Sequence, residues 1–280
     1  MKKLKIVTDS SCTMDSSVAE QLAIHIVPLS VMIDDVIYAD DDHLGRIQFM
    51  EKMAVAKNLP KTSQPPIGKF VELYDQLGED GSEILSIHMT RALSGTVEAA
   101  RQASQLTKSK VVVIDSNTTD QGLSFAVIKA AELALEGKTL TEVLPVVENL
   151  LAHSKLYIGL STLDNLVKGG RISRAKGVVS SFLNMRVVME LKNAELIPVI
   201  KGRGNKTFLK WFEGFKEELK QTPNLKRIGI SYAGETEQLK LFRDELQKLF
   251  PEVMITFFHT TPVISTHTGS GAFAIMYYSE

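Results

Sequence analysis

The chain has 280 residues, room for two domains of ordinary size, and 44% hydrophobic residues supply ample core material. Its charged fraction of 23% and formal net charge of -1 are those of a soluble protein and exclude the basic footprint of a nucleic-acid binder. Nowhere do about 18 apolar residues run unbroken, and the apolar stretch in Leu4–Val7 is too short for a signal peptide, so stable membrane insertion is not expected and a cytoplasmic location is.

In chain order, Leu4 to Val7 reads as a short strand ending in Thr8-Asp9-Ser10-Ser11, followed by a helix from about Ser16 to Leu22. Cys12, the single cysteine, can form no intrachain disulfide; with no basic residue nearby to activate it, it reads as a small buried side chain. Ile24 to Ile33 is β-branched and strand-like, and Asp34-Asp35 offers a turn into Val36-Ile37-Tyr38. Arg46 to Ala56 is amphipathic and helical. Pro60, Pro65 and Pro66 make a loop of Lys61 to Pro66, and Ile67 to Leu77 is helical again.

Ile84 to Met89 is the next strand; it runs into Thr90-Arg91-Ala92-Leu93-Ser94-Gly95-Thr96 and a helix to about Leu106. Val111 to Ile114 ends in Asp115-Ser116-Asn117-Thr118-Thr119, and helices fill Leu123 to Leu135 and Leu140 to Ala152. This alternation predicts a parallel sheet covered by helices. Beyond a boundary near residue 155 the pattern mixes hairpins with crossovers. Tyr157 to Leu160 leads to Lys168-Gly169-Gly170-Arg171-Ile172, and Val187 to Leu191 pairs with Glu195 to Ile200. Phe208 to Leu219, Ile228 to Tyr232, Gln238 to Leu249 and Val253 to Phe258 follow, then the loop-like Thr266-His267-Thr268-Gly269-Ser270-Gly271 and a strand from Ala272 to Tyr278. The expected fold is two-domain α/β: residues 1–155 a parallel-sheet domain, residues 156–280 a mixed-sheet domain.

Chemistry concentrates at strand ends. Three N-terminal strands finish in hydroxyl-rich turns, Thr8 to Ser11, Thr90 to Thr96 and Ser116 to Thr119, and ligands of open parallel sheets bind beyond the carboxyl ends of the strands. Hydroxyls and helix N-terminal amides suit an anionic oxygen group, although each Ser or Thr also serves as a helix cap. Ser94-Gly95-Thr96 opens a helix, Thr62-Ser63-Gln64-Pro65-Pro66 is a stiff loop carrying two hydroxyls, and His267 can donate to an anion or act as a base. The basic strings around Arg171 and at Lys201-Gly202-Arg203-Gly204 match neither a Walker A loop nor a GxGxxG fingerprint, and the histidines lack metal-ligand spacing. No cofactor is expected.

In this order and spacing, Thr8-Asp9-Ser10-Ser11, Thr62-Ser63-Gln64-Pro65, Ser94-Gly95-Thr96, Asp115-Ser116, Lys168-Gly169-Gly170-Arg171-Ile172 and Thr266-His267-Thr268-Gly269 resemble the DegV family, the fatty-acid-binding subunits of bacterial fatty acid kinase, nearly end to end. The resemblance implies a lipid tunnel between or near the two domains. It implies that Thr62, Ser63, Ser94, Thr96, His267 and Thr268 hold the carboxylate, and that Arg203 and Arg171 lie near the head group or on a partner-docking face. The implied ligand is a long-chain fatty acid. The implied partner is a dihydroxyacetone-kinase-like subunit that phosphorylates the bound acid with ATP for phospholipid synthesis, so this chain is expected to be a carrier and no enzyme. Ser270 stands where the family often has proline, Pro66 where serine is common, and the basic stretch after Arg203 is thinner than usual. Two other readings compete: a serine hydrolase or acyltransferase using Ser94 and His267, which lacks a GxSxG elbow and a nameable third triad member, and a small-anion-binding protein.

Overall fold

The computed structural model of the protein describes residues 3–41, 44–175, 185–234 and 237–280. Strand β1 (Leu4–Asp9) lies beside β2 (Ile24–Val27), β6 (Glu83–His88) and β7 (Lys110–Asp115) in a parallel sheet of order β2-β1-β6-β7. Chain direction switches sides between β1 and β6, so their carboxyl ends frame a crevice. Helices α1 (Ser16–Gln21), α3 (Ile67–Gly78), α4 (Thr96–Leu106), α5 (Asp120–Leu135) and α6 (Leu140–Ala152) connect or cover this sheet.

The β-branched run from Ile24 does not form one strand. It divides at Pro28-Leu29: Ile24–Val27 joins the parallel sheet, while β3 (Ser30–Ile33) turns away to pair antiparallel with β4 (Val36–Ala39) and β5 (Lys61–Ser63). The break is pinned by Ser10, whose backbone N–H donates to the Val27 carbonyl and whose hydroxyl accepts from Leu29 N–H. Helix α2 (Arg46–Val55) connects β4 to β5. Lys61–Ser63, expected as loop, is therefore an edge strand. The prolines on either side of it bound the strand rather than abolish it, since an edge strand needs only one side of its ladder paired.

The second sheet has order β10-β9-β8-β13-β11-β12, formed by β8 (Ser154–Leu160), β9 (Arg186–Lys192), β10 (Glu195–Gly202), β11 (Leu225–Ala233), β12 (Met254–His259) and β13 (Ala272–Ser279). Its neighbours are antiparallel except β11 and β12, giving the expected mixed sheet. Helices α8 (Lys206–Gln221) and α9 (Glu237–Leu249) cover one face with an aromatic core in which Phe212 stacks on Phe242 at 3.8 Å between centroids. Helix α5 packs against strands of both sheets, which explains why so many of its residues are buried and why it lacks a polar stripe. A single apolar cluster accordingly runs from Ile6 and Leu85 through α5 to Leu156, Met189 and Ala274. The short helices α7 (Asp164–Lys168) and α10 (Pro262–Thr268) close one end of the space between the sheets.

Candidate functional site

Between the sheets lies a cavity with about 640 Å³ of empty space, walled by apolar side chains such as Met89, Leu160, Met189, Leu196 and Val263. Among the described residues its polar lining is made by Thr62, Ser94, Thr119, Arg171, His267 and Thr268. A second cavity of about 320 Å³ shares Thr119, Ile158, Ile264 and Thr268 with the first and continues past Leu156, Phe273 and Ala274. Adjoining at these shared residues, the two cavities give a mainly apolar channel, with Asp120, Ser231 and Thr260 also on the walls of the second. A wider depression near Ser10, Asp40, Arg46 and Thr261 holds more empty space, about 1130 Å³, but carboxylates and a guanidinium line it.

The mouth draws on distant parts of the chain. Thr62 comes from the edge strand β5, Ser94 from the turn that opens α4, Arg171 from the turn after α7, and His267 from the last turn of α10. The expected loop at Thr266–Thr268 is thus the end of a helix begun by Pro262 at its first position, where the missing N–H costs nothing. His267 Nε2 lies 2.8 Å from Thr62 Oγ1. Burial, reinforced by the nearby Arg171 charge, pushes the imidazole pKa down to about 4, so the ring is neutral at pH 7. Its Nδ1 is buried without a partner. The tautomer that leaves no buried N–H unpaired puts the proton on Nε2, donating to Thr62 Oγ1; the Thr62 hydroxyl proton is then available to a ligand.

Ser94 is arranged in the same way. Its Oγ accepts from Thr96 N–H at 3.3 Å and lies 2.8 Å from Thr96 Oγ1. With Thr96 as donor, Ser94 turns its own proton outward. Arg171 is half-buried; its Nε donates to the Leu93 carbonyl at 3.1 Å and one terminal nitrogen to the Gly169 carbonyl at 2.7 Å. No carboxylate pairs with it among the described residues. Two hydroxyl donors beside a guanidinium held only by carbonyls make a mouth suited to a carboxylate.

The remaining expected residues sit as follows. Thr96 is fully buried and acts behind Ser94. Thr268 lines the channel, but its hydroxyl donates to the Ile264 carbonyl at 3.0 Å. Ser63 follows Thr62 on the strand, is exposed, and is not among the cavity walls. Arg203 is exposed in the turn after β10, also away from the cavity walls.

The three hydroxyl-rich turns do meet: Thr90 N–H donates to the Thr118 carbonyl at 2.9 Å and Asp120 N–H to the Ser11 carbonyl at 3.0 Å. Of their hydroxyls, those of Ser94 and Thr119 line the channel, with Leu93 beside them. The others serve the scaffold. Asp9 accepts from Ser11 and Met89 N–H and from His88 Nδ1 at 3.0 Å; His88 Nε2 meets Ser86 Oγ at 2.7 Å, and Ser86 meets Tyr74 at 2.7 Å. Burial opposes charge on Asp9, yet these donors, His88 foremost, hold its carboxyl below the ordinary range. This chain of groups has the order of a hydrolytic triad, but Ser86 is wholly buried and cannot meet a substrate. Cys12 is buried as expected, and burial pushes its thiol up to about 12.

Sequence reasoning missed the channel walls and the part played by Gly169. A Cβ on Gly169 would stand 2.4 Å from His267 Nδ1. The Lys168-Gly169-Gly170-Arg171 string signalled it, since paired glycines beside a cation mark a close approach. Among the described residues no group of three or more potential metal ligands occurs, and no helix is long and apolar enough to cross a membrane.

The fold and the site together define an α/β protein with an apolar channel ending in a carboxylate-suited mouth. The chain belongs to the DegV family: the model of that family of uncharacterised proteins matches residues 3–280. A DegV domain-containing protein of Streptococcus pneumoniae is 51% identical over 276 residues, 99% of this chain and 98% of that one. Among solved structures, DegV from Bacillus subtilis, described as a fatty acid binding protein, superimposes with a TM-score of 0.92 at 28% identity over 100% of both chains. A Thermus thermophilus DegV family protein, described by its fatty acid binding, gives 0.87 at 28% identity over 99% of this chain and 100% of that one.

Proposed function

We propose that this protein buries a long-chain fatty acid in the channel and presents the carboxyl head at the mouth formed by Thr62, Ser94, Arg171 and His267. The observation that carries the reading is the pairing of adjoining, mainly apolar cavities with Thr62, Ser94, Arg171 and His267 gathered in the first of them, while the Ser231 and Thr260 hydroxyls of the second are committed to Asp120. Each buried methylene contributes about 0.8 kcal/mol, so a tail of roughly 16 carbons offers about 12 kcal/mol gross, and the tail dominates affinity. A desolvated carboxyl costs several kcal/mol unless hydrogen-bonded, and the mouth offsets that cost. The fatty acid binding described for the Bacillus subtilis and Thermus thermophilus proteins supports the same ligand. In this reading residues 1–155 and 156–280 are the two domains that wall the channel.

A carrier of this kind needs no nucleophile. We assign the chemistry to a separate ATP-dependent, dihydroxyacetone-kinase-like subunit that converts the presented carboxylate to an acyl phosphate feeding phospholipid synthesis, with the exposed Arg203 turn on the docking face. The hydrolase alternative is not favoured: His267 Nε2 faces Thr62 rather than Ser94, and Nδ1 has no carboxylate to orient it. The apolar length of the channel disfavours a small polar anion.

Labelled fatty acid titrated into delipidated protein tests the site. Thr62→Ala, Ser94→Ala and Arg171→Met are expected to weaken binding by roughly tenfold each, the loss of one charge-assisted hydrogen bond. Arg203→Ala should bind normally. Wild-type affinity in all three mouth variants would show that the head group lies elsewhere.

A further inference from the structure

Midway along the channel stands a hydroxyl that neither the scaffold nor the mouth uses. Thr119 lines both cavities at their junction and is 4% exposed. Its Oγ1 is buried and has no hydrogen-bond partner. The other aliphatic hydroxyls on these walls are committed: Ser231 and Thr260 donate to Asp120, Thr268 to the Ile264 carbonyl, and Ser94 and Thr62 are engaged by Thr96 and His267.

The local backbone accounts for this. Thr119 occupies the N-cap of α5, where a threonine hydroxyl ordinarily accepts a helix N–H. Asp120 follows at φ 58°, in the left-handed region that a non-glycine residue adopts at a cost in conformational energy. In that conformation the Asp120 carboxylate itself accepts the Gln121 N–H at 2.9 Å, and the Thr119 side chain makes no capping bond. Burial raises the Asp120 pKa, although the hydroxyls of Ser231, Thr13 and Thr260 lean against it. Both of its oxygens accept from other groups, and neither is hydrogen-bonded to Thr119 Oγ1.

A buried hydroxyl without a partner is unfavourable, and a saturated hydrocarbon tail filling the channel leaves it so. An oxygen atom on the tail relieves the penalty by accepting the Thr119 proton. We propose that the channel favours acyl chains bearing a hydroxy or oxo group partway along the tail, with Thr119 as the residue that reads it. This inference rests on the fatty-acid reading of the channel.

The test is competitive binding of stearate and a series of hydroxystearates and oxostearates, differing in the position of the oxygen, to delipidated full-length protein and to Thr119→Val and Thr119→Ser. At least one mid-chain isomer is expected to bind wild type roughly tenfold more tightly than stearate, the worth of one hydrogen bond that relieves a buried orphan. Thr119→Val, which replaces the hydroxyl by a methyl of similar size, should abolish that preference, so that stearate and every isomer bind this variant within about twofold of one another. Thr119→Ser should keep it. Equal affinity of wild type for stearate and every isomer, or a preference that survives in Thr119→Val, overturns the assignment. Failure to bind stearate or any isomer removes the fatty-acid reading itself and this inference with it.

Discussion

The His267 ring is uncharged at pH 7, and the same burial that keeps it so makes the protein sensitive to acid. Its folded pKa is depressed to about 4 from an ordinary 6.5. As pH falls below 6.5 the unfolded chain takes up a proton that the folded chain refuses, so folding loses stability until about pH 4. Between pH 7 and 4.5 this amounts to about 2 kcal/mol. Asp40, raised to about 7 by burial, acts with the opposite sign: its stabilising contribution is lost as pH rises toward 7 and returns on acidification. The two are separated by difference. Urea unfolding at both pH values should show wild type losing about 2 kcal/mol more than His267→Gln, and equal losses would mean that the ring is not held neutral by the fold. At this scale the sequence was partly readable. Thr62, Ser94 and His267 stood out as polar residues in glycine- or proline-marked strings. Which way Arg171 pointed, and that Ser63 and Arg203 lie off the cavity, was not readable, because strand alternation and turn direction depend on partners far along the chain.

The mouth holds its shape because α7 and α10 are locked together. Asn165 Nδ2 donates to the Thr266 carbonyl at 2.9 Å, and Gly169, the C-cap of α7, packs under His267 Nδ1. Gly169 has φ -76°, so alanine is tolerated by its backbone and only the contact is tested. A Cβ there would also stand 2.8 Å from the Asn165 carbonyl, so Gly169→Ala must displace the imidazole or the end of α7 and disturb the His267–Thr62 hydrogen bond. Fatty acid binding by Gly169→Ala should fall about tenfold or more, with a stability loss of about 1–3 kcal/mol from overpacking. Isothermal calorimetry with unfolding curves reads both, and unchanged binding would place His267 outside the head-group contact. The elements themselves were largely visible from periodicity and punctuation. The exceptions are instructive: β5 hid inside a proline-rich stretch, the run from Ile24 concealed a change of sheet, and α10 was masked by the threonines around His267. In each case tertiary pairing overrode the local signal.

At the scale of the molecule, α5 sits between two sheets and the channel follows the seam they leave. Parallel-sheet logic placed the polar turns at the carboxyl ends of β1 and β6, and the alternation of strand and helix gave the α/β class. The channel could not be read from pattern, because its walls combine Leu29, Met89, Ile158, Met189, Leu196 and Ile264, residues that only the packed fold brings together. The account therefore stands on an alkyl chain occupying that seam. Native mass spectrometry of the purified protein, followed by solvent extraction and identification of what is released, tests this directly. The account predicts one long-chain fatty acid per chain, released on denaturation and rebound by the delipidated protein. A protein that carries no lipid and binds none when fatty acid is supplied would contradict it.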